Sequence, residues 1–417
     1  MKICAIICEY NPLHYGHLHH IKEAKLKSGA DAVLCIMSGN FGQRGEPTIV
    51  NKYARSKMAL EAGADIVVQI PTPYCCSSAE IFALAGVKIA NSIDNVTHLC
   101  FGCETTNFEL LKEIANYLAD EPKEYKELLK SYLNNGDSFA TSRQKALCEL
   151  SKNKTIKFAK EKEIEEVLTL PNNILAIEYL KALKTTNSSI EPVFSVRENS
   201  EYLSDIINGK DTSAKAIRNL IYTKNKIKPT KKLVPSSTFE ILKEEFSSFG
   251  IPDLTLFNDL CMFVLNIKSA HEIKQVYDVS EGLENRFKES IKKLKDLNEV
   301  LLDVKSKRYT YTRLKRIVLR LLLDIDSKVI KEIYSISKLP FIKVLAFNSN
   351  RKDLLNGINA NTNLIIRNSN IVKEQSELYK KLASIEDNAN AIYNLLLKKS
   401  KTIKKYAPDL YTKTIFE

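Results

Sequence analysis

The chain has 417 residues, 44% of them hydrophobic and 27% charged, with a net charge of +12. That length exceeds one typical core and points to two domains, and the ordinary hydrophobic content argues against extensive disorder. No apolar run reaches membrane-spanning length and the N-terminus lacks a signal-peptide pattern, so no membrane association and a cytoplasmic location are expected.

The first elements alternate. Lys2 to Cys8 is a short apolar run followed by a loop and an amphipathic stretch from His17 to Lys27. Ala32 to Met37 then reads as a buried strand, Lys52 to Ala62 as a helix, Asp65 to Ile70 as a strand, Ser78 to Asn91 as a helix and Thr97 to Phe101 as a strand. Continuous apolar strands alternating with helices predict an α/β fold with a doubly wound parallel sheet covered on both faces. Residues 107 to 170 are highly charged with no strand signal and read as a helical insertion. Alternation resumes with a helix over Asn172 to Leu183, a strand over Ile190 to Val196 and a helix over Ser213 to Tyr222. Beyond about residue 230 the pattern is helical and strands are expected to stop. The charged stretch from Lys224 to Lys232, containing Pro229, sets the expected boundary: a nucleotide-binding domain over 1–228 and a mostly helical domain over 229–417.

Charge divides along the same line. Residues 1–200 carry 23 Lys and Arg against 24 Asp and Glu, a net of −1, whereas residues 201–417 carry 39 against 26, a net of +13. A neutral half joined to a basic one suggests a small-molecule site in the first and a polyanion contact in the second. The nine cysteines are odd in number and several lie in apolar strands, so disulfides are not expected. Cys100 and Cys103 have the spacing of half a zinc site but lack a second pair, and no metal site is expected.

Four of the six histidines fall in one stretch, His14, His17, His19 and His20. His14-Tyr15-Gly16-His17 follows the first strand directly and opens the first helix, where a parallel sheet presents its carboxyl ends and a helix its free amides. Phosphate chemistry suits that place. Gly16 lets backbone approach a phosphate chain, and neutral imidazoles on either side can donate to phosphate oxygens as charge develops on them.

EYNPLHYGH, the block Ser38 to Leu60, DIVVQIP, FGCE at 101–104 and PNNIL at 171–175 together resemble the bacterial tRNA(Met) cytidine acetate ligase family, part of the HxGH nucleotidylyltransferase-like group. The resemblance is dense over the first 200 residues and thinner through SEGLENRF and KSKRYTYTRLKRI. It implies that acetate is activated by ATP as acetyl-adenylate and then transferred to N4 of the wobble cytidine of elongator tRNA(Met). It also implies ATP contacts from Ile7, Cys8, Glu9, Tyr10, Asn11, Pro12, Leu13, His14, Tyr15, Gly16, His17, Leu18, His19 and His20, and from Gly102 and Arg197. Asn172 and Asn173 are further candidates for nucleotide hydrogen bonds, with helix capping as the alternative role. Ser213 and Arg218 stand where the group places a second phosphate motif. His14, His17 and Arg197 are the expected catalytic residues, Mg2+ is expected to accompany the triphosphate, and the Ser38-Gly39-Asn40 turn is the expected wall of an acetate pocket.

On the basic half, Lys307, Arg308, Arg313, Arg316 and Arg320 crowd one segment with Tyr309 and Tyr311. Arg313, Arg316 and Arg320 share one helix face by spacing, which suits phosphate contacts, while the tyrosines suit stacking on unpaired bases. A solvated basic face is the alternative. From the residues alone, a small-molecule adenylyltransferase and a non-catalytic RNA-binding protein stay open beside the RNA-modifying ligase.

Overall fold

A computed structural model describes residues 1–197, 209, 212–351, 353–354, 364–365, 376–399 and 415–416. Eight strands form one sheet: β1 (Ile3–Cys8), β2 (Ala32–Ser38), β3 (Ile66–Ile70), β4 (Val96–Cys103), β5 (Glu191–Val196), β6 (Ile342–Phe347), β7 (Leu364–Ile365) and β8 (Ile415–Phe416). Their order is β5-β4-β1-β2-β3-β6-β7, with β8 also on β6. The first five strands are mutually parallel, as the apolar runs predict.

Helices cover both faces. They are α1 (Tyr15–Ser28), α2 (Lys52–Glu61), α3 (Thr72–Cys75), α4 (Ala79–Asn91), then α5 (Phe108–Asp120), α6 (Lys123–Asn134), α7 (Phe139–Lys152) and α8 (Glu161–Thr169) across the insertion. There follow α9 (Pro171–Thr185), α10 (Ala214–Lys224), α11 (Ser236–Ser248), α12 (Leu254–Ile267), α13 (Ala270–Gln275), α14 (Leu283–Ile291), α15 (Leu297–Val304), α16 (Tyr311–Leu322), α17 (Ser327–Ser335) and α18 (Glu377–Leu395). Strand β1 shows how the layers arise. Ile3, Ala5 and Ile7 point into a core shared with α4 and α9, while Cys4, Ile6 and Cys8 point into one shared with α1 and α2.

The expectation that strands end near residue 230 is incorrect. β6 joins the open edge of β3 in antiparallel fashion, pairing Ile66 with Phe347 and Val68 with Val344. Its six residues are all buried, and the run from Phe341 to Phe347 has the length and apolar character of a buried strand. The sheet therefore draws on both ends of the chain.

Two buried cations organise the segment between β2 and α2. Arg55, fully buried, donates to the Glu9 carbonyl at 2.5 Å, the Ser38 hydroxyl at 3.1 Å, the Ser38 carbonyl at 3.0 Å and the Val50 carbonyl at 3.3 Å, and also to the Gly39 carbonyl. Lys52 donates to Gln69 at 2.9 Å, and the Gln69 amide donates to Glu386 of α18 at 2.5 Å. Asn40 donates to Asn390 of α18 at 2.9 Å, and Tyr393 of the same helix donates to the Thr48 carbonyl at 3.0 Å. The loop after β2 is thus fastened from below by α2 and from outside by α18.

Replacing Arg55 with Met leaves this set of buried acceptors without a donor. The expected loss is at least about 3 kcal/mol of unfolding free energy, at 1–3 kcal/mol for each unsatisfied group, read from urea midpoints. A midpoint equal to that of the unaltered protein contradicts the organising role of this side chain.

Candidate functional site

A cleft of about 860 Å³ opens at the carboxyl ends of β1, β4 and β5 and is rimmed by the N-termini of α1, α9 and α10. Its position follows from topology, because β1 sits between β4 and β2 and the chain crosses over on either side.

The histidine loop forms one wall. His14 is the N-cap of α1: its Nδ1 accepts the Gly16 N–H at 3.1 Å, and its own N–H donates to Nδ1 of His17 at 3.3 Å. The two rings stack with centroids 3.8 Å apart. Because both Nδ1 atoms accept backbone hydrogens, the hydrogen-bond pattern assigns each ring proton to Nε2. Burial, then Arg197 and Arg218, push His14 down to about 3. Burial and the neighbouring His14 and Arg197 hold His17 well below the ordinary range, with only the Pro12 carbonyl opposing. Burial, with Arg197 adding to it, lowers His20 to about 3, and its Nε2 lies 3.4 Å from the Cys100 sulfur. At neutral pH these imidazoles are uncharged donors.

Facing them is a set of cations. Arg197, whose N–H donates to the Cys103 carbonyl at 2.9 Å, lays its side chain across Gly102. A Cβ at Gly102 would stand 2.8 Å from Arg197 Nε, so this glycine makes room for the guanidinium rather than leaving open space above the backbone. Arg218 donates to the Asn11 carbonyl at 2.7 Å, tying α10 to the histidine loop. Ser213 caps α10 by accepting the Ala216 N–H at 3.1 Å. Lys27, Arg44 and Lys215 complete the positive lining. Two capped helix N-termini and these cations make a strongly anion-accepting wall.

The other residues expected here separate into two groups. Ile7, Cys8, Glu9, Tyr10, Asn11, Tyr15, Gly16, His19, His20 and Asn172 line the cleft with the residues above, while Pro12, Leu13, Leu18 and Asn173 do not. Leu13 is fully buried in the core. Asn173 lies beneath the surface, its Oδ1 accepting the Glu104 N–H at 2.7 Å, whereas Asn172 lines the cleft; the buried Nδ2 atoms of both are unpaired among the described residues. The Ser38-Gly39-Asn40 turn does not line this cleft: all three residues are buried and the turn is held by Arg55, Lys52 and α18.

Residues that sequence reasoning did not single out also line the cleft: Glu23, Lys27, Gln43, Arg44, Phe82, Tyr179 and Lys215. Gln43 and Arg44 belong to a motif block already noted, so the signal existed there without a role. Phe82 and Tyr179 carried none, since an aromatic on a core-facing helix looks like packing. No group of three or more His, Cys, Asp and Glu side chains among the described residues is arranged to hold a metal ion.

The basic segment departs furthest from expectation. Arg320 is fully buried, with its guanidinium 3.4 Å from Asp278 and over the Tyr277 ring. Arg313 shares Asp278 at 3.3 Å and lies over the Tyr309 ring, itself buried. Arg316 reaches the Gln43 carbonyl at 3.5 Å, and the neighbouring Lys315 pairs with Glu46. This face of α16 is therefore wedged against Asp278 and the loop after β2, not turned to solvent. Arg308 pairs with Glu281 and donates to the Leu133 carbonyl of α6. Lys307 is exposed.

A parallel sheet, a histidine-capped helix at its first crossover and a cationic helix start facing it define a nucleotidyl transferase of the HIGH class. A model described as HIGH Nucleotidyl Transferase matches residues 1–408. A tRNA(Met) cytidine acetate ligase of Caldicellulosiruptor saccharolyticus is 41% identical over 401 residues, covering 95% of each chain. The crystal structure of apo Thermotoga maritima TmcAL matches with a TM-score of 0.92 at 26% identity, covering 100% of this chain and 99% of that one. A second crystal structure of that protein, bound with alpha-thio ATP, matches with a TM-score of 0.90 at the same identity, covering 100% of this chain and 99% of that one. The chain belongs to the tRNA(Met) cytidine acetate ligase family.

Gly102→Ala places a methyl group against Arg197 and displaces its guanidinium. The expected outcome is a rise of at least about tenfold in the dissociation constant for a nucleoside triphosphate, the scale of one lost charge-assisted contact, with the melting temperature nearly unchanged. An unaltered dissociation constant contradicts this placement of Arg197.

Proposed function

We propose that this enzyme activates acetate with ATP to acetyl-adenylate, releasing pyrophosphate, and transfers the acetyl group to N4 of the wobble cytidine of elongator tRNA(Met). The observation that carries the reading is the neutral His14–His17 pair set against Arg197 and Arg218 in the cleft. The relatives' names supply the acyl and RNA substrates.

In this reading the triphosphate lies between the starts of α1 and α10. Ser213, Arg218 and the free amides receive the departing pyrophosphate. Asn172, with its unpaired Nδ2, and Arg197 hold the rest of the nucleotide. An acetate oxygen attacks the α-phosphorus in line, and negative charge grows on the phosphate oxygens. Nε2–H donors that are neutral beforehand strengthen as that charge grows, so they stabilise the transition state more than the bound substrate. Mg2+ would accompany the nucleotide substrate and would neutralise charge on the triphosphate beside Arg197 and Arg218.

The polyanion is met by the outer surface of the basic half, where Lys307 is exposed. Arg313, Arg316 and Arg320 support this surface from within.

Labelled acetate, ATP and tRNA are expected to yield acetylated tRNA without acetyl-CoA, and His14→Ala or His17→Ala is expected to reduce acetate-dependent ATP–pyrophosphate exchange by roughly 100-fold. Label reaching tRNA only from acetyl-CoA would defeat the reading. For the RNA side, Lys307→Gln is expected to flatten the log–log salt dependence of tRNA binding by about 0.7 to 0.9. Arg320→Gln, by contrast, is expected to lower the urea midpoint. If Lys307→Gln leaves the salt slope as it was, this residue does not touch RNA.

A further inference from the structure

The two chemical steps differ in proton balance. Acetate attacks as a carboxylate, so formation of acetyl-adenylate moves no proton. The second step must lose one: the N4 nitrogen forms a bond to the carbonyl carbon, the bond from that carbon to the adenylate oxygen breaks with its electron pair leaving on AMP, and one N4 hydrogen must depart. The N4 lone pair is delocalised into the pyrimidine ring, so a proton acceptor at the amine has most to contribute here.

Several groups lining the cleft are unsuited to accept it. His14 and His17 have their Nδ1 atoms occupied by backbone N–H groups and carry hydrogen on Nε2. Burial pushes the Tyr10 hydroxyl and the Cys8 thiol well above their ordinary ranges, which leaves both protonated. Among the described residues two carboxylates line the cleft, Glu9 and Glu23. Glu23 is engaged at both oxygens: Oε2 accepts the Ser195 hydroxyl at 2.6 Å, and Oε1 lies 2.9 Å from Lys27 and 3.8 Å from His19.

Glu9 is held differently. It follows the last residue of β1, directly before the histidine loop, and its Oε1 accepts the Gln43 N–H at 2.6 Å. Among the described residues its Oε2 accepts no hydrogen bond, and it is not among the buried atoms without a partner. Gly42 leaves the space this carboxylate needs, since a Cβ there would stand 2.9 Å from Oε1. Arg55 fixes the same residue from behind through the Glu9 carbonyl. One oxygen is anchored, and the other is left without a hydrogen bond among the described residues, on a residue that lines the cleft.

From this we infer that Glu9 is the general base of the acetyl-transfer step, taking the N4 proton on Oε2 while the C–N bond forms and AMP leaves. The inference rests on the acetyl-adenylate reading above.

The test separates the half-reactions in the full-length enzyme. Acetate-dependent ATP–pyrophosphate exchange without tRNA reports the first, and single-turnover transfer of label from enzyme-bound acetyl-adenylate to tRNA(Met) reports the second. Glu9→Gln keeps an oxygen for the Gln43 N–H but removes the base. Transfer is expected to fall at least about 100-fold and exchange far less, and the acidic limb of the transfer pH–rate profile is expected to vanish. If that variant does not fold, Glu9→Asp, which retracts the carboxylate by one methylene, is expected to slow transfer more than exchange while keeping the acidic limb. Equal losses in both half-reactions overturn the inference and leave Glu9 as an anchor for Gly42 and Gln43. Transfer at the unaltered rate also overturns it and assigns the proton to the departing phosphate. Absence of acetate-dependent exchange in the unaltered enzyme overturns the acetyl-adenylate reading and the role of Glu9 together.

Discussion

The Arg55 guanidinium joins three stretches that sequence spacing keeps apart. It joins the carbonyl of Glu9 after β1, the hydroxyl and carbonyl of Ser38 at the end of β2, the carbonyl of Gly39 and the carbonyl of Val50 before α2. Strand ends are where a parallel sheet leaves carbonyls without partners, and here one buried five-donor fork satisfies them. The cleft is built on that junction. Glu9 and the histidine loop rise from one side of it, and Gln43 and Arg44 from the other.

The basic half is part of the same junction. Glu386, Asn390 and Tyr393 of α18 fasten the loop after β2 from the outside, and Lys315 and Arg316 of α16 hold its tip at Glu46 and Gln43. A stripe of arginines suited by composition to RNA is instead compensated by Asp278 and by backbone carbonyls. Buried guanidinium groups need such partners, because removal from water is costly unless their hydrogens are satisfied. The loop beside the cleft and the segment that carries much of the positive charge thus meet through direct contacts.

Legibility in the sequence followed the range of the interactions. The five parallel strands, the first helices and the histidine loop are local features: apolar runs of the right length, cap residues at helix starts, and histidines clustered around Gly16. These were readable. Asn172 and Asn173 are neighbours with identical side chains, and only the packing of α9 against Glu104 sends one into the cleft and the other beneath it. The burial of Lys52 and Arg55 has no local signal, because nothing in the flanking sequence reveals that the strand ends and α18 close over them. Helical periodicity places Arg313, Arg316 and Arg320 together on α16 but says nothing about what covers them. The strand β6 had a readable apolar run and was obscured by the helical composition on both sides.

That strand has a bearing on biosynthesis. β3 is flanked by β2 on one side, and its other edge is completed only by residues 344–347. During translation the parallel sheet can assemble from the first two hundred residues, yet the edge of β3 stays open until most of the chain has emerged. An unpaired hydrophobic strand edge is a template for pairing with another chain, so the nascent protein passes through a long interval in which that edge needs shielding. Closure by β6 ends that interval, so the sheet is finished only after residues far along the chain from β3 have been made.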